Sequence, residues 1–426
     1  MTIAIFLGSL LGAMALGIPI AFSLLLCGAA LMWHVGTFDP QILAQNLITG
    51  ADSFPLLAVP FFMLAGELMN AGGLSRRIVS FALALVGHIK GGLGYVAIVA
   101  AIMMAALSGS AVADAAALSA LLLPMMSAAG HDRARSAGLI ASASIIAPII
   151  PPSIAFVIFG VAANVSVSKL FLAGIFPGLL LAASLWVTWW WVARKEQVAT
   201  PPRKTATEVG AAFKDATFAL VLPIIVIVGL KFGVFTPTEA AVVAAVYALF
   251  VSTVIYRELK ISQLYGLFLA AAKTTAIIMF LVAAALVSAW LITVAQLPDQ
   301  VVKLLTPLLD SPKLLMFAIM ILVMVVGTAM DMTPTILILT PVLMPLVKAA
   351  GIDPVYFGVL FIINNAIGLI TPPVGTVLNT VAGVGKVSMD EVTRGVWPFM
   401  LAQFTVMFLM VLFPEIVMAP ARWLQN

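Results

Sequence analysis

The chain has 426 residues, 63% of them hydrophobic and only 9% charged, with a net charge of +4 and a mean hydropathy of +1.19. Soluble domains carry about 25% charged residues, so this composition defines an all-α polytopic membrane protein and speaks against a nucleic-acid binder. One cysteine, Cys27, excludes a disulfide framework and a thiolate metal cluster.

In chain order, the first apolar run, 3–33, lacks a basic n-region. It reads as a retained first helix and not as a cleaved signal. A crossing over 54–72 follows, then an amphipathic connector over 75–88, too short and polar to span. Segment 91–130 is about two spans long but is broken at Ser108-Gly109-Ser110, which predicts a re-entrant hairpin. The crossing 135–163 is interrupted at Ala147-Pro148-Ile149-Ile150-Pro151-Pro152-Ser153. Crossing 170–193 ends in Trp186, Trp189, Trp190 and Trp191, an interfacial aromatic belt. A polar linker, 194–215, joins the halves. Crossings at 216–233, 238–256 and 265–295 lead to a second connector, 299–310, and a second hairpin, 314–349, broken at Gly327-Thr328-Ala329-Met330-Asp331. Crossing 355–384 is broken at Gly368-Leu369-Ile370-Thr371-Pro372-Pro373, and 396–418 is the last.

Residues 124–177 reappear without gaps at 345–398, a constant offset of 221: Pro124 matches Pro345, Asp132 matches Asp353, Pro151-Pro152 matches Pro372-Pro373, and Pro177 matches Pro398. Matched helix breakers in two halves of a membrane chain point to a transporter built from internal repeats. The loops flanking the first hairpin carry Arg76, Arg77, His88, Lys90, Arg133 and Arg135, whereas those flanking the second carry Asp299, Lys303, Asp310, Lys313, Lys348 and Asp353, which cancel. The positive-inside rule makes the first set cytoplasmic and the second periplasmic. Five crossings separate the hairpins, an odd number that inverts the second repeat. The predicted organisation is a first repeat over 1–193, a cytoplasmic linker and connecting helix over 194–237, and a second repeat over 238–426. The N-terminus is expected in the cytoplasm and the C-terminus in the periplasm.

Proline removes a backbone donor and frees the carbonyl four residues earlier. Freed carbonyls are oxygen ligands for a small cation, and helix N-termini facing the same cavity favour an anion. Four breaks in symmetric pairs therefore suit coupled Na⁺ and carboxylate binding; the plainer reading is a packing kink. Asp114 is the only Asp, Glu, Lys, Arg or His between Lys90 and His131, and Asp331 the only one between Lys313 and Lys348. An intramembrane carboxylate is a functional candidate, the other reading being a cap on the second hairpin arm. Glu67 sits near the cytoplasmic end of its span and reads as functional or as snorkelling. Thr236-Pro237-Thr238-Glu239 has capping-box spacing and reads as structural. Asn364, Asn365 and Asn379 flank the second break, as substrate ligands or as partners of freed backbone. His34, His88 and His131 show no metal-ligand spacing. No phosphate-binding loop or catalytic pair stands out, so neither an enzyme nor a cofactor is expected.

The runs Ser108–Leu118 (SGSAVADAAAL), Ile145–Ile154 (IIAPIIPPSI), Pro55–Gly73 (PLLAVPFFMLAGELMNAGG) and Gly368–Gly375 (GLITPPVG) resemble the large membrane subunit, the DctM type, of tripartite ATP-independent periplasmic (TRAP) transporters. The resemblance runs over nearly the whole chain. It implies an ion-transporter-superfamily-like elevator in the bacterial inner membrane, with Na⁺ as coupling ion. It also implies a separate small four-helix membrane subunit of DctQ type, a periplasmic substrate-binding protein, and an organic acid as substrate. In overall pattern the chain is similar to the sugar-acid members, of the 2,3-diketogulonate type. By motif, Ser108, Gly109, Ser110, Pro148, Ile150 and Pro151 would hold one Na⁺, and Gly327, Asp331, Gly368, Thr371 and Pro372 a second. Asp114, Ser153, Asn364, Asn365, Thr376 and Asn379 are the substrate-cavity candidates. The alternative is a stand-alone Na⁺/carboxylate symporter or exporter of the same architecture that needs no binding protein.

Overall fold

The computed structural model describes the whole chain except residues 1, 195, 197, 199, 297–299, 301, 303–308 and 426. All regular structure among the described residues is helical, and eight of these helices are long and apolar enough to cross a membrane. Most of the expected connector 299–310 lies outside the described residues.

The expected single crossing 3–33 is two helices, α1 (Thr2–Ala15) and α2 (Ile20–Val35). Pro19 precedes α2 without a backbone donor, and Gly17 takes φ +79, a conformation that favours glycine. The two helices fold back on each other, so that the Cys27 thiol donates to the Phe6 carbonyl at 3.5 Å. An unexpected helix, α3 (Pro40–Ala51), follows; Asp39 caps it by accepting from Gln41 N at 2.8 Å. A short 3₁₀ turn, Phe54–Leu57, leads into α4 (Ala58–Ala71). The predicted connector is α5 (Leu74–Val86), with Leu74, Ile78, Val79 and Ala82 buried and Arg76 exposed.

Both hairpins form as expected. The first is α6 (Gly92–Ser108) with α7 (Ala111–Ala128). Both proline-paired crossings are broken: the first is α8 (Arg133–Ser144) and α9 (Ile154–Ala163). Next come α10 (Val167–Ala193), α11 (Ala206–Lys231), α12 (Pro237–Phe250) and α13 (Ile261–Val294). The second hairpin is α14 (Pro312–Gly327) with α15 (Met332–Ala349), and the second broken crossing is α16 (Pro354–Gly368) and α17 (Thr376–Gly385). The chain ends with α18 (Met389–Leu412) and α19 (Glu415–Gln425).

The repeat is structural as well as sequential. The aligned Asp132 and Asp353 both cap the helix that opens a broken crossing, accepting from Arg135 N at 2.8 Å and Val355 N at 2.8 Å. The aligned Pro177 and Pro398 lie inside α10 and α18, and both Pro-Pro bonds, 151–152 and 372–373, are cis. Two expected boundaries are corrected. The linker 194–215 is helical from Ala206, because Thr205 and Glu208 form a capping box. The last crossing stops at Leu412, short of 418, where Pro414 ends the helix and α19 begins. Thr236 and Glu239 form the capping box that their spacing predicts.

Polar contacts sort the loops into two faces. On one, Arg77 binds Glu258 at 2.6 Å and Asp215 at 3.2 Å, His131 meets Glu196 at 2.8 Å, Lys90 donates to the Arg194 carbonyl at 3.0 Å, and Arg133 donates to the Lys386 carbonyl at 2.6 Å. On the other, Gln300 donates to Thr2 at 3.4 Å, and the Lys231 ammonium sits 5.2 Å from the Trp423 ring centre. Thr2 thus shares a face with the end of α13, and not with the basic loops as a single crossing over 3–33 would require. The extra turn at Gly17-Ile18-Pro19 is the reason.

Helices α8 and α18 cross at glycines. A β-carbon on Gly395 would run into the Ala134 carbonyl and lie 3.0 Å from Arg135 N. Gly395→Ala is expected to destabilise the protein by about 1–3 kcal/mol, the usual range for overpacking. A thermal unfolding midpoint in detergent equal to wild type would contradict this.

Candidate functional site: a cleft at the hairpin tips

One cleft collects the tips and breaks. It is lined by Gly109, Ser110, Ala111 and Val112 from the first hairpin, Pro148, Ile154 and Ala155 from the first broken crossing, Asp331, Met332 and Thr333 from the second hairpin, and Leu369 from the second broken crossing. Met63 of α4 and Thr274 and Ile278 of α13 close it. In each half the tip touches the break through glycine. Gly109 has φ +58, and a β-carbon there would lie 3.5 Å from Ser153 Cα. A β-carbon on Gly327 would lie 3.4 Å from Gly368 Cα.

Around the first tip, Ser108 Oγ donates to Asp114 Oδ1 at 2.6 Å and accepts from Ser110 N at 3.2 Å. Ser110 caps α7, accepting from Ala113 N at 3.4 Å, so the cap is Ser110 and not Asp114. Asp114 is 1% exposed, and its Oδ2 has no partner among the described residues. It lies behind the tip and does not line the cleft. Ser153 donates to the Pro148 carbonyl at 2.5 Å and caps α9 through Phe156 N at 3.2 Å, which ties the loop shut. Ile150 and Pro151 are buried behind it.

Around the second tip, Asp331 is exposed and makes no cap bond of its own; its Oδ1 accepts from Thr376 Oγ at 3.1 Å, joining the hairpin to the start of α17. Thr371 donates to the Ile367 carbonyl at 2.8 Å, and Pro372 is half-buried. Asn379 is exposed and donates to the Val374 carbonyl at 2.8 Å. Asn364 and Asn365 are buried; their amide groups donate to the Met320 carbonyl at 2.6 Å and the Phe361 carbonyl at 2.8 Å, leaving each Oδ1 without a partner among the described residues. Glu67 of α4, half-buried, lies one turn beyond Met63.

The lining has a definite polarity. Ala111, Ile154 and Met332 are the first residues of α7, α9 and α15, so three helix N-termini open on one cleft. Their unbonded N–H groups and positive dipole ends favour an anion. Gly109 and Leu369 follow the C-termini of α6 and α16, whose negative dipole ends, with Asp331, favour a cation, although the Ile367 and Gly368 carbonyls of α16 already accept from Ile370 N and Thr371 N. Sequence reasoning missed Met63, Thr274 and Ile278. The available signal was the polar run Lys273-Thr274-Thr275 in the middle of a long, mostly apolar helix.

Inverted repeats, paired hairpins and broken helices around one polar cleft define a polytopic membrane transporter. The chain belongs to the family described as "Tripartite ATP-independent periplasmic transporter, DctM component", whose model matches residues 7–416. It is 58% identical over 424 residues to the 2,3-diketo-L-gulonate TRAP transporter large permease protein YiaN of Escherichia coli K12, covering 100% of both chains. It is 39% identical to the sialic acid TRAP transporter large permease protein SiaM of Vibrio cholerae, with 95% of each chain covered. To the C4-dicarboxylate TRAP transporter large permease protein DctM of Pseudomonas aeruginosa it is 37% identical, with 94% of each covered. The fold is similar to the Alcanivorax borkumensis YdaH transporter, with a TM-score of 0.64, 15% identity and 87% of each chain covered.

Proposed function

We propose that this chain is the large permease of an inner-membrane, Na⁺-coupled importer of an organic acid, a sugar acid of the diketogulonate kind, delivered by a periplasmic binding protein with a small membrane subunit as partner. The observation that carries the proposal is the cleft onto which three helix N-termini and two helix C-termini converge. The N-termini of α7, α9 and α15 would receive the carboxylate. Carbonyls at the two tip–break contacts would hold Na⁺, with Ser108 and Ser110 in the first half and Asp331, Thr371 and Thr376 in the second. Coupling follows because anion and cation share the same moving tips. In the elevator reading the hairpins and broken crossings travel together against α1–α4 and α11–α13. The basic loops face the cytoplasm, so both chain ends face the periplasm.

The test is uptake of labelled sugar acids into proteoliposomes holding this chain and its small partner, with and without an inward Na⁺ gradient and with and without the binding protein. Uptake that needs both is expected. Uptake indifferent to the binding protein would favour the stand-alone symporter. In the same assay Ser108→Ala is expected to weaken the Na⁺ dependence severalfold without loss of folded protein. An unchanged Na⁺ response would remove Ser108 from the cation site.

A further inference from the structure

Helix α13 carries one charged residue in 34, Lys273. Its neighbour Thr274 lines the cleft with both hairpin tips, so Lys273 sits at the depth of those tips and not in a loop. Residues on a helix advance by about 100° each. Ala271, Thr274 and Ile278 therefore define the face packed on the protein, and Lys273 points about 130° away from its centre. Ala271 is buried, whereas Lys273 and Ala276 are exposed, as are Tyr265 at 78% and Ile277 at 69%. Lys273 makes no hydrogen bond or ion pair among the described residues. An ammonium held outward at this depth is costly unless it meets an opposite charge. Two alanines, Ala272 and Ala276, stand one turn apart on the same face, a small-residue spacing that lets a second helix approach closely.

We infer that this outer face of α13 docks a transmembrane helix of the small membrane subunit, and that Lys273 pairs with a carboxylate on that helix. The inference rests on the proposed partnership with a small subunit and adds where the two meet. Position and charge select the occupant. A lipid tail offers no anion at this depth, whereas an acidic side chain on a neighbouring helix does. Such a pair would also orient the scaffold beside the cleft, because Thr274 follows Lys273 directly.

The experiment is co-purification of the chain with its cognate small subunit, co-expressed and extracted in mild detergent. Wild type is expected to retain the partner. Lys273→Arg should retain it, Lys273→Gln should weaken retention severalfold, and Lys273→Glu should reduce it at least tenfold while the chain itself still elutes as a single species. A second measurement does not depend on complex stability. Cys27, the single cysteine, is replaced by serine, and Ala276→Cys is paired with cysteines scanned along the partner's helices in membranes. A disulfide beside an acidic position of the partner is expected. Full retention by Lys273→Glu, or crosslinks confined to other faces, would overturn the docking site and leave the importer reading intact. Loss of anionic lipid from the Lys273→Glu protein with the partner still bound would assign Lys273 to lipid and also overturn it. Failure of the wild-type pair to associate at all would count against the importer reading itself.

Discussion

Asp331→Asn is expected to raise the Na⁺ concentration for half-maximal uptake by about tenfold, equivalent to about 1.4 kcal/mol. Asp331 supplies the one formal charge among the residues lining the cleft. A carboxylate about 4 Å from a monovalent cation is worth about 4 kcal/mol at an effective dielectric of 20, and the exposure of Asp331 screens this to a smaller figure. Thr376 orients the carboxylate through the 3.1 Å bond to Oδ1. Thr376→Val should therefore shift the same curve in the same direction by less. A Na⁺ titration of uptake in proteoliposomes reads both. Superimposable curves for Asp331→Asn and wild type would take Asp331 out of the cation site.

Gly368→Val should lower uptake by more than tenfold with the protein still folded. A β-carbon at 368 would approach the Gly327 carbonyl oxygen at 3.0 Å and its Cα at 3.1 Å. The neighbouring atoms are backbone, which cannot rotate away. The branched valine forces the second hairpin tip off its break and separates the carbonyls that would surround the cation. Geometry at such sites must hold to within about 0.5 Å. The discriminating comparison is Gly383→Val on α17, where a β-carbon meets nothing within 4 Å. Equal uptake by the Gly368→Val and Gly383→Val proteins would show that the tip–break contact is not needed for transport.

The hairpins and broken crossings were legible because their signals are local. Adjacent prolines, as at Pro151-Pro152 and Pro372-Pro373, remove two successive backbone donors and break a helix locally, and a charge-free run such as 354–385 is long enough to cross the membrane. The paired prolines carried the repeat through a composition in which alanine and isoleucine matches mean little. The first crossing failed for a related reason. Gly17-Ile18-Pro19 is a short break inside an apolar run, and hydropathy averages over it. The positive φ of Gly17 and the contact between Cys27 and Phe6 reveal the turn, and the Gln300–Thr2 bond the face on which Thr2 lies.

The roles of individual polar residues were decided by tertiary structure. Asp114 and Asp331 look alike in sequence, one lone carboxylate in each hairpin. In the fold Asp114 turns inward to Ser108, and Asp331 opens on the cleft and meets Thr376 from another element 45 residues away. Ser153 and Asn379 go to backbone carbonyls freed by the breaks. Buried polar groups are satisfied by whatever the packing brings near, and spacing along the chain does not encode that. The sequence by itself determined a membrane transporter of two inverted repeats with matched breaks, because bilayer thickness and proline chemistry act on short stretches of chain. Only the tertiary structure decided that three helix N-termini and two C-termini share one cleft, and that α4 and α13 close it, because those elements are distant in sequence and meet only when the helices pack.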